Sequence, residues 1–172
     1  MEIRDAELDD LPAVTALYNE LLGTTTFTYT EHPQSLDERT ASFEARRSRG
    51  FPTLVASDGG VVVGTAGFGD FRDSLRWPGY RFTAEHSVNV FANAWGKGVG
   101  QALMRALLER AGALGVHAMI GAVDATNMRS LAFHAELGFV EVARLPEVGW
   151  KHARWLDLVL VQRFIDAPGA AR

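Results

Sequence analysis

The stretch from residue 82 to residue 123 limits what this chain can fold into more than any other. Residues 82–91 read as a strand, and Trp95-Gly96-Lys97-Gly98-Val99-Gly100 follows it. From Gly98 to Leu114 the apolar Val99, Leu103, Ala106, Leu107 and Leu114 then recur at helical spacing, opposite Gln101, Arg105 and Glu109. Gly115 stops that helix and a strand follows at 116–123. A strand, a long helix and another strand need a sheet on which the helix can bury its apolar stripe.

The remaining segments extend this pattern. After a short N-terminal strand, Asp9 or Asp10 can cap a helix with Pro12 in its first turn, and Leu11, Val14, Tyr18 and Leu21 share a face. A second helix starts at Ser35, where Ser35-Leu36-Asp37-Glu38 reads as a capping box, and Gly50-Phe51-Pro52 ends it. Residues 53–57 and 61–68, joined at Asp58-Gly59-Gly60, predict a β-hairpin. Arg72 to Tyr80, with Trp77-Pro78-Gly79, reads as a loop. A shorter helix opens at Asn127 and stops at Gly138, and β segments cover 139–148 and 154–164. The order implies an α/β fold: a mixed sheet with helices on both faces.

At 172 residues the chain has the length of one compact domain, expected over 1–165, and Ala167-Pro-Gly-Ala-Ala-Arg172 reads as a frayed tail over 166–172. A net charge of −4, from 17 Lys+Arg against 21 Asp+Glu, argues against general binding to nucleic acid or to an anionic membrane. With no cysteine, disulfides, thiolate nucleophiles and zinc–thiolate sites are excluded. No window approaches the ~20 apolar residues of a membrane span, and Met1-Glu2-Ile3-Arg4-Asp5 offers no apolar signal, so a cytoplasmic location is expected. His86, His117, His134 and His152 show no metal-ligand spacing with carboxylates, so no metal is implied.

The glycines at 96, 98 and 100 let backbone amides converge with no Cβ in the way, and the helix start adds partial positive charge. Two readings follow: a pocket for phosphate oxygens, which Lys97 could reinforce, or a Gly-rich turn with no ligand. The spacing fits neither G-x-x-x-x-G-K-[ST] nor G-x-G-x-x-G, whose third glycine would fall on Gln101. Together with Asn127-Met-Arg-Ser-Leu-Ala-Phe-His-Ala-Glu-Leu-Gly-Phe139, the loop resembles the Q/R-x-x-G-x-G/A pyrophosphate loop of the GCN5-related N-acetyltransferases, with Trp95 at the first position. Thr83-Ala-Glu-His-Ser-Val-Asn-Val90, Gly67-Phe-Gly-Asp-Phe-Arg72 and Val148-Gly-Trp-Lys-His-Ala-Arg-Trp-Leu-Asp-Leu158 narrow the resemblance to the phosphinothricin and methionine sulfoximine/sulfone acetyltransferase subgroup. The match runs from about Ile3 to Gln162. Asn89 replaces a family Tyr and His152 a family Phe.

The resemblance implies a central mixed, mostly antiparallel twisted sheet of about six or seven strands with about four helices. It also implies acetyl-CoA as cosubstrate, a small amino-acid-like amine as acceptor and a homodimer. Acetyl-CoA would be held by Val88, Asn89, Val90, Trp95, Gly96, Lys97, Gly98, Val99, Gly100, Asn127 and Ser130. Glu85 would serve as general base, since an ammonium must lose a proton before nitrogen attacks a thioester. His134 shares a helical face with Asn127 and Ser130 and would protonate the departing thiolate. Phe71, Arg72, Thr83, Glu85 and Lys151 would meet the acceptor, with Arg76 and Arg81 near by in sequence and Trp77, Trp150 and Trp155 as candidate walls. Other acceptors (an aminoglycoside, a polyamine, a protein N-terminus) and an acyl-CoA sensor without turnover are the alternatives.

Overall fold

The computed structural model describes residues 1–165. The expected tail at 166–172 lies outside the described residues. Seven strands follow the order β1-β2-β3-β4-β5-β7-β6, and four α-helices join them among the described residues. The strands are β1 (Glu2–Asp5), β2 (Thr53–Asp58), β3 (Val61–Asp70), β4 (Thr83–Val90), β5 (Ala118–Asp124), β6 (Val140–Lys151) and β7 (Arg154–Phe164). The helices are α1 (Leu11–Thr24), α2 (Leu36–Ser48), α3 (Val99–Ala113) and α4 (Met128–Glu136). β4 and β5 run parallel, and the pairs β1–β2, β2–β3, β5–β7 and β6–β7 are antiparallel. The fold class is the one expected.

The chain clusters into two compact units. The first holds Met1–Thr24, His32–Gly69 and His86–Arg110. Its strands take helices on both faces, as period 2 requires of β3. A Cβ on Gly64 would meet Leu103 Cδ1 and Val99 Cγ1 of α3 at 3.1 and 3.2 Å, whereas one on Gly67 would meet the Arg46 guanidinium of α2 at 3.0 Å. Ser35 caps α2 as the sequence predicts: its Oγ accepts from the Glu38 amide, and the Glu38 carboxylate accepts from the Ser35 amide at 2.8 Å.

The start of α1 differs from expectation. Leu8–Asp10 form a 3-10 turn, and the Asp10 carboxylate faces back rather than capping the helix. It accepts from the Glu7 amide at 2.8 Å and takes both arms of the Arg4 guanidinium at 2.7 and 2.8 Å. A fork-shaped cation outcompetes a single amide for a carboxylate. Leu11, Val14 and Leu21 are buried as expected, and in α3 so are Val99, Leu103 and Leu107. Leu114 falls beyond the end of α3 and is exposed.

The second unit comprises Thr25–Glu31, Asp70–Glu85 and Ala111–Arg172, described here to residue 165. β5 is buried along most of its length beside β7, in register from Ala118↔Phe164 to Asp124↔Leu158. β6 runs three residues further than its expected end at 148. Its register against β7 breaks between Leu145 and Gly149, Glu147 takes φ 53°, and pairing then resumes to Lys151↔Arg154. The strand crosses that irregularity because Gly149 fits where another residue does not. A Cβ there would stand 2.1 Å from Cδ2 of Tyr29. His152 and Ala153 close the hairpin with φ of 51° and 57°.

Candidate active site

The glycine loop lies in the first unit. Gly96 and Gly98 take φ of 76° and 78°, a left-handed conformation that side chains with a Cβ avoid. α3 then starts at Val99, and no acidic side chain occupies its first turn. Among the described residues, the amides of Gly96, Lys97, Gly98, Val99 and Gly100 donate to no protein acceptor. Helix geometry leaves the first amides of α3 without partners, and the two left-handed glycines extend that set backwards. Such a cluster at a helix start binds phosphate oxygens. Lys97 is exposed beside it.

Trp95 departs from the family pattern, and its indole Nε1–H donates to the carbonyl of Val90 at 2.7 Å. The loop is thereby tied to the end of β4. Val88, Asn89 and Val90 are half-buried on that strand. The pairing of β4 with β5 covers Thr83↔Ala118, Ala84↔Met119 and Glu85↔Ile120, although β4 continues to Val90.

Glu85 is half-buried, and its carboxylate forms no hydrogen bond or ion pair among the described residues. Desolvation alone raises its pKa above the ordinary carboxylate value, because nothing nearby stabilises the anion. A carboxylate moved toward neutral pH in this way is a better general base than a free one. His86, buried, falls on the opposite face of β4.

Elsewhere in the second unit the structure brings Phe71, Arg72 and Thr83 together. The Phe71 amide donates to the Thr83 carbonyl, the Phe71 ring meets Tyr80 edge-on at 6.2 Å, and the Arg72 guanidinium lies over Tyr80 at 5.5 Å. Arg72 is exposed and pairs with no carboxylate among the described residues. Arg81 is committed to the Pro78 carbonyl at 3.0 Å and to the Phe82 ring. Trp77, Trp150 and Trp155 are all half-exposed, and the last two stack edge to face at 4.9 Å.

Asn127 caps α4: its Oδ1 accepts from the Ser130 amide at 3.0 Å. The preceding turn is fixed by Asp124, which accepts from the amide and hydroxyl of Thr126. His134 Nδ1 sits 2.6 Å from the Ser130 carbonyl, so Nδ1 carries the hydrogen and Nε2 of the neutral ring is an acceptor. Burial lowers its pKa, with the Ser130 carbonyl acting in the other direction. Burial thus favours the neutral ring, and giving a proton from Nε2 requires the imidazolium that burial disfavours.

Lys151 is wholly buried, and its ammonium donates to the carbonyls of Thr25 and Thr28 at 2.8 and 3.0 Å. Its pKa is lowered by desolvation, against a favourable field from Glu31. In the structure this lysine fastens the segment 25–31. Tyr29 of that segment, its hydroxyl donating to the Asp157 carbonyl, is pushed up to about 12 by burial and then by Asp124 and Asp157. Arg39 and Arg46 of α2, which no sequence motif marks, line a cavity of the first unit. Their signal, two arginines seven residues apart on one helical face, is indistinguishable in sequence from a solvated face.

Comparison with known proteins places this geometry in context. The sequence model of the Acetyltransferase (GNAT) family matches residues 14–139. An L-methionine sulfoximine/L-methionine sulfone acetyltransferase of Pseudomonas paraeruginosa is 45% identical over 170 residues, 98% of this chain and 97% of that one. A phosphinothricin N-acetyltransferase of Alcaligenes faecalis is 37% identical over 96% of this chain and 83% of that one. Among solved structures, a phosphinothricin acetyltransferase of Sinorhizobium meliloti in complex with acetyl-CoA superimposes with a TM-score of 0.93 at 35% identity, covering 99% of this chain and 91% of that one.

Proposed function

From the premise that the chain belongs to the GNAT family and is an acetyl-CoA-dependent N-acetyltransferase, we propose that its acceptor is the α-amine of a small amino-acid-like compound of the methionine sulfoximine, methionine sulfone or phosphinothricin type. Its binding of acetyl-CoA rests chiefly on the amides of residues 96–100, a set of donors at the start of α3 with no protein acceptor among the described residues. They fit the diphosphate of acetyl-CoA, with Trp95 bracing the loop and Lys97 adding charge. Val88, Asn89, Val90, Asn127 and Ser130 complete the proposed cofactor-binding set. Acetyl-CoA, when bound, supplies an acetyl thioester.

The chain's own residues then have these roles. Glu85 takes a proton from the acceptor ammonium, directly or through a water, and frees the nitrogen lone pair. A main-chain N–H at 88–90 donates to the oxygen that gains charge during attack. Arg72, exposed and without an acidic partner among the described residues, offers a fork to the acceptor carboxylate, with Phe71 and Thr83 beside it. Lys151 acts through the segment 25–31 that it holds. His134 as proton donor to the thiolate requires an imidazolium, so an alkaline limb of the rate profile that moves in His134→Gln supports that role and an unmoved limb removes it.

Residues 1–165 are proposed to act as one catalytic domain in the cytoplasm, in a detoxifying role. Among the described residues no helix is long and apolar enough to cross a membrane. A homodimer is supported by the apolar side chains that β6 and β7 leave exposed, Val140, Val142, Val148, Trp150 and Trp155 among them. Light scattering on Trp155→Glu should report a smaller species than the parent.

A screen of coenzyme-thiol release with phosphinothricin, methionine sulfoximine, methionine sulfone, polyamines and an aminoglycoside tests the reading. Release with the three amino-acid analogues is expected. Release confined to polyamines or the aminoglycoside overturns the acceptor class. A thermal shift with coenzyme A but no release with any amine favours the sensor.

A further inference from the structure

The first unit contains a cavity of about 70 Å³ between α1, α2 and strands β3 and β4, lined by Tyr18, Arg39, Ser42, Arg46, Ser87 and Asn89 with apolar neighbours. Among the described residues nothing acidic lines it. Its volume is well above the ~15 Å³ needed to hold one water, so the space admits a small anion.

Two cations, Arg39 and Arg46, line this space, and no acidic residue lines it with them among the described residues. Arg39 Nε and Nη2 and Arg46 Nε are closed off from solvent and have no hydrogen-bond partner among the described residues. The Arg39 guanidinium lies over the Tyr18 ring at 4.5 Å, which covers a face and leaves the in-plane N–H groups to find acceptors. The tip of Arg46 is pressed against β3, where a Cβ on Gly67 would stand 3.0 Å from its Nη2. Burial lowers the pKa of both groups, and Arg39 further disfavours the charge on Arg46. Folded proteins do not leave buried guanidinium donors unmatched, because the desolvation cost is returned only by an acceptor, best an anion. No ion pair of either arginine is formed among the described residues. Ser42, Ser87 and Asn89 add neutral polar groups suited to the outer oxygens of a small anion.

We propose that this cavity is a binding site for a carboxylate or an oxyanion of similar size, gripped by Arg39 and Arg46. Two sources share that chemistry, the acid group of an acceptor amino acid and a free small anion. The anion site stands whichever acceptor the enzyme uses.

Formate is the probe, with gluconate, too bulky for the cavity, at matched ionic strength as the reference. The melting temperature of the full chain should rise saturably in formate and not in gluconate. Arg46→Met should weaken the apparent formate affinity at least about tenfold, as loss of a charge-assisted hydrogen bond does. Arg39→Gln, which keeps much of the stem, gives the same readout should Arg46→Met not fold. Equal shifts in both salts, or unchanged formate affinity in the variants, overturn the proposal. Formate inhibition of acetyl transfer distinguishes the sources: competition with the acceptor identifies its acid group as the occupant, and binding without competition identifies a free anion.

Discussion

Glu85→Gln removes one ionisable group from a half-buried position of β4 while keeping the size of the side chain. Because this carboxylate makes no hydrogen bond or ion pair among the described residues, the substitution breaks no contact. Its effects should therefore come from the charge alone. Loss of a general base typically lowers turnover by about 10²–10⁴-fold, a barrier increase of about 3–5 kcal/mol at ~1.4 kcal/mol per decade.

Stability should move the other way. The folded carboxyl has a pKa raised by desolvation, so as pH rises the unfolded chain gives up its proton first. Stability then falls from the unfolded pKa up to the folded one and stays reduced above it. Gln escapes that loss, so the variant should melt higher than the parent at pH 7.5 and alongside it well below the ordinary carboxylate pKa. Initial rates of thiol release and melting curves at the two pH values make the measurement. Turnover within tenfold of the parent would exclude Glu85 as base. A variant melting no higher at pH 7.5 would refute the claim that the carboxylate sits desolvated.

Other consequences follow from the same structure. Gly98→Val should weaken coenzyme A binding about tenfold or more by calorimetry; the cause is the left-handed φ of 78°, which costs a β-branched residue over ~1 kcal/mol, since the space around a Cβ is open. Lys151→Met should strand the carbonyls of Thr25 and Thr28, lowering stability by about 1–3 kcal/mol in urea melts and raising amide exchange in 25–31; unchanged exchange there would count against the fastening role. The Asp10 carboxyl is held below its ordinary range by the Arg4 guanidinium, against desolvation and with help from the Glu7 amide. Its contribution is present above the unfolded pKa and lost as pH falls through the folded one, so Asp10→Asn should destabilise at pH 7 and lose that deficit in strong acid.

The elements most legible in sequence carried their own local signals. Ser35 and Glu38 form their reciprocal cap because both partners lie within one turn, and Gly98 and Gly115 bound α3 because only glycine takes those angles cheaply. The glycine loop and the face of Glu85 were readable for the same reason, one from backbone freedom and the other from period 2. Asp10 shows where such reading stops. Its residue type suits a cap, but Arg4 of β1 offered a stronger bond than its own helix, and a propensity cannot register a competitor brought by the fold.

What the sequence by itself determined is the order and kind of the elements, the donor-rich turn at 96–100 and the side of β4 on which Glu85 stands, since all depend on spacing along a few neighbouring residues. Only tertiary structure decided that the Glu85 carboxylate has no partner among the described residues, that Lys151 is buried under Thr25 and Thr28, that burial favours the neutral His134 ring, and that Arg39 and Arg46 line a cavity with no acid beside them among the described residues. Those facts depend on which distant residues exclude water or supply an acceptor. Charge and hydrogen-bond energies follow that local solvent, which no stretch of sequence specifies alone.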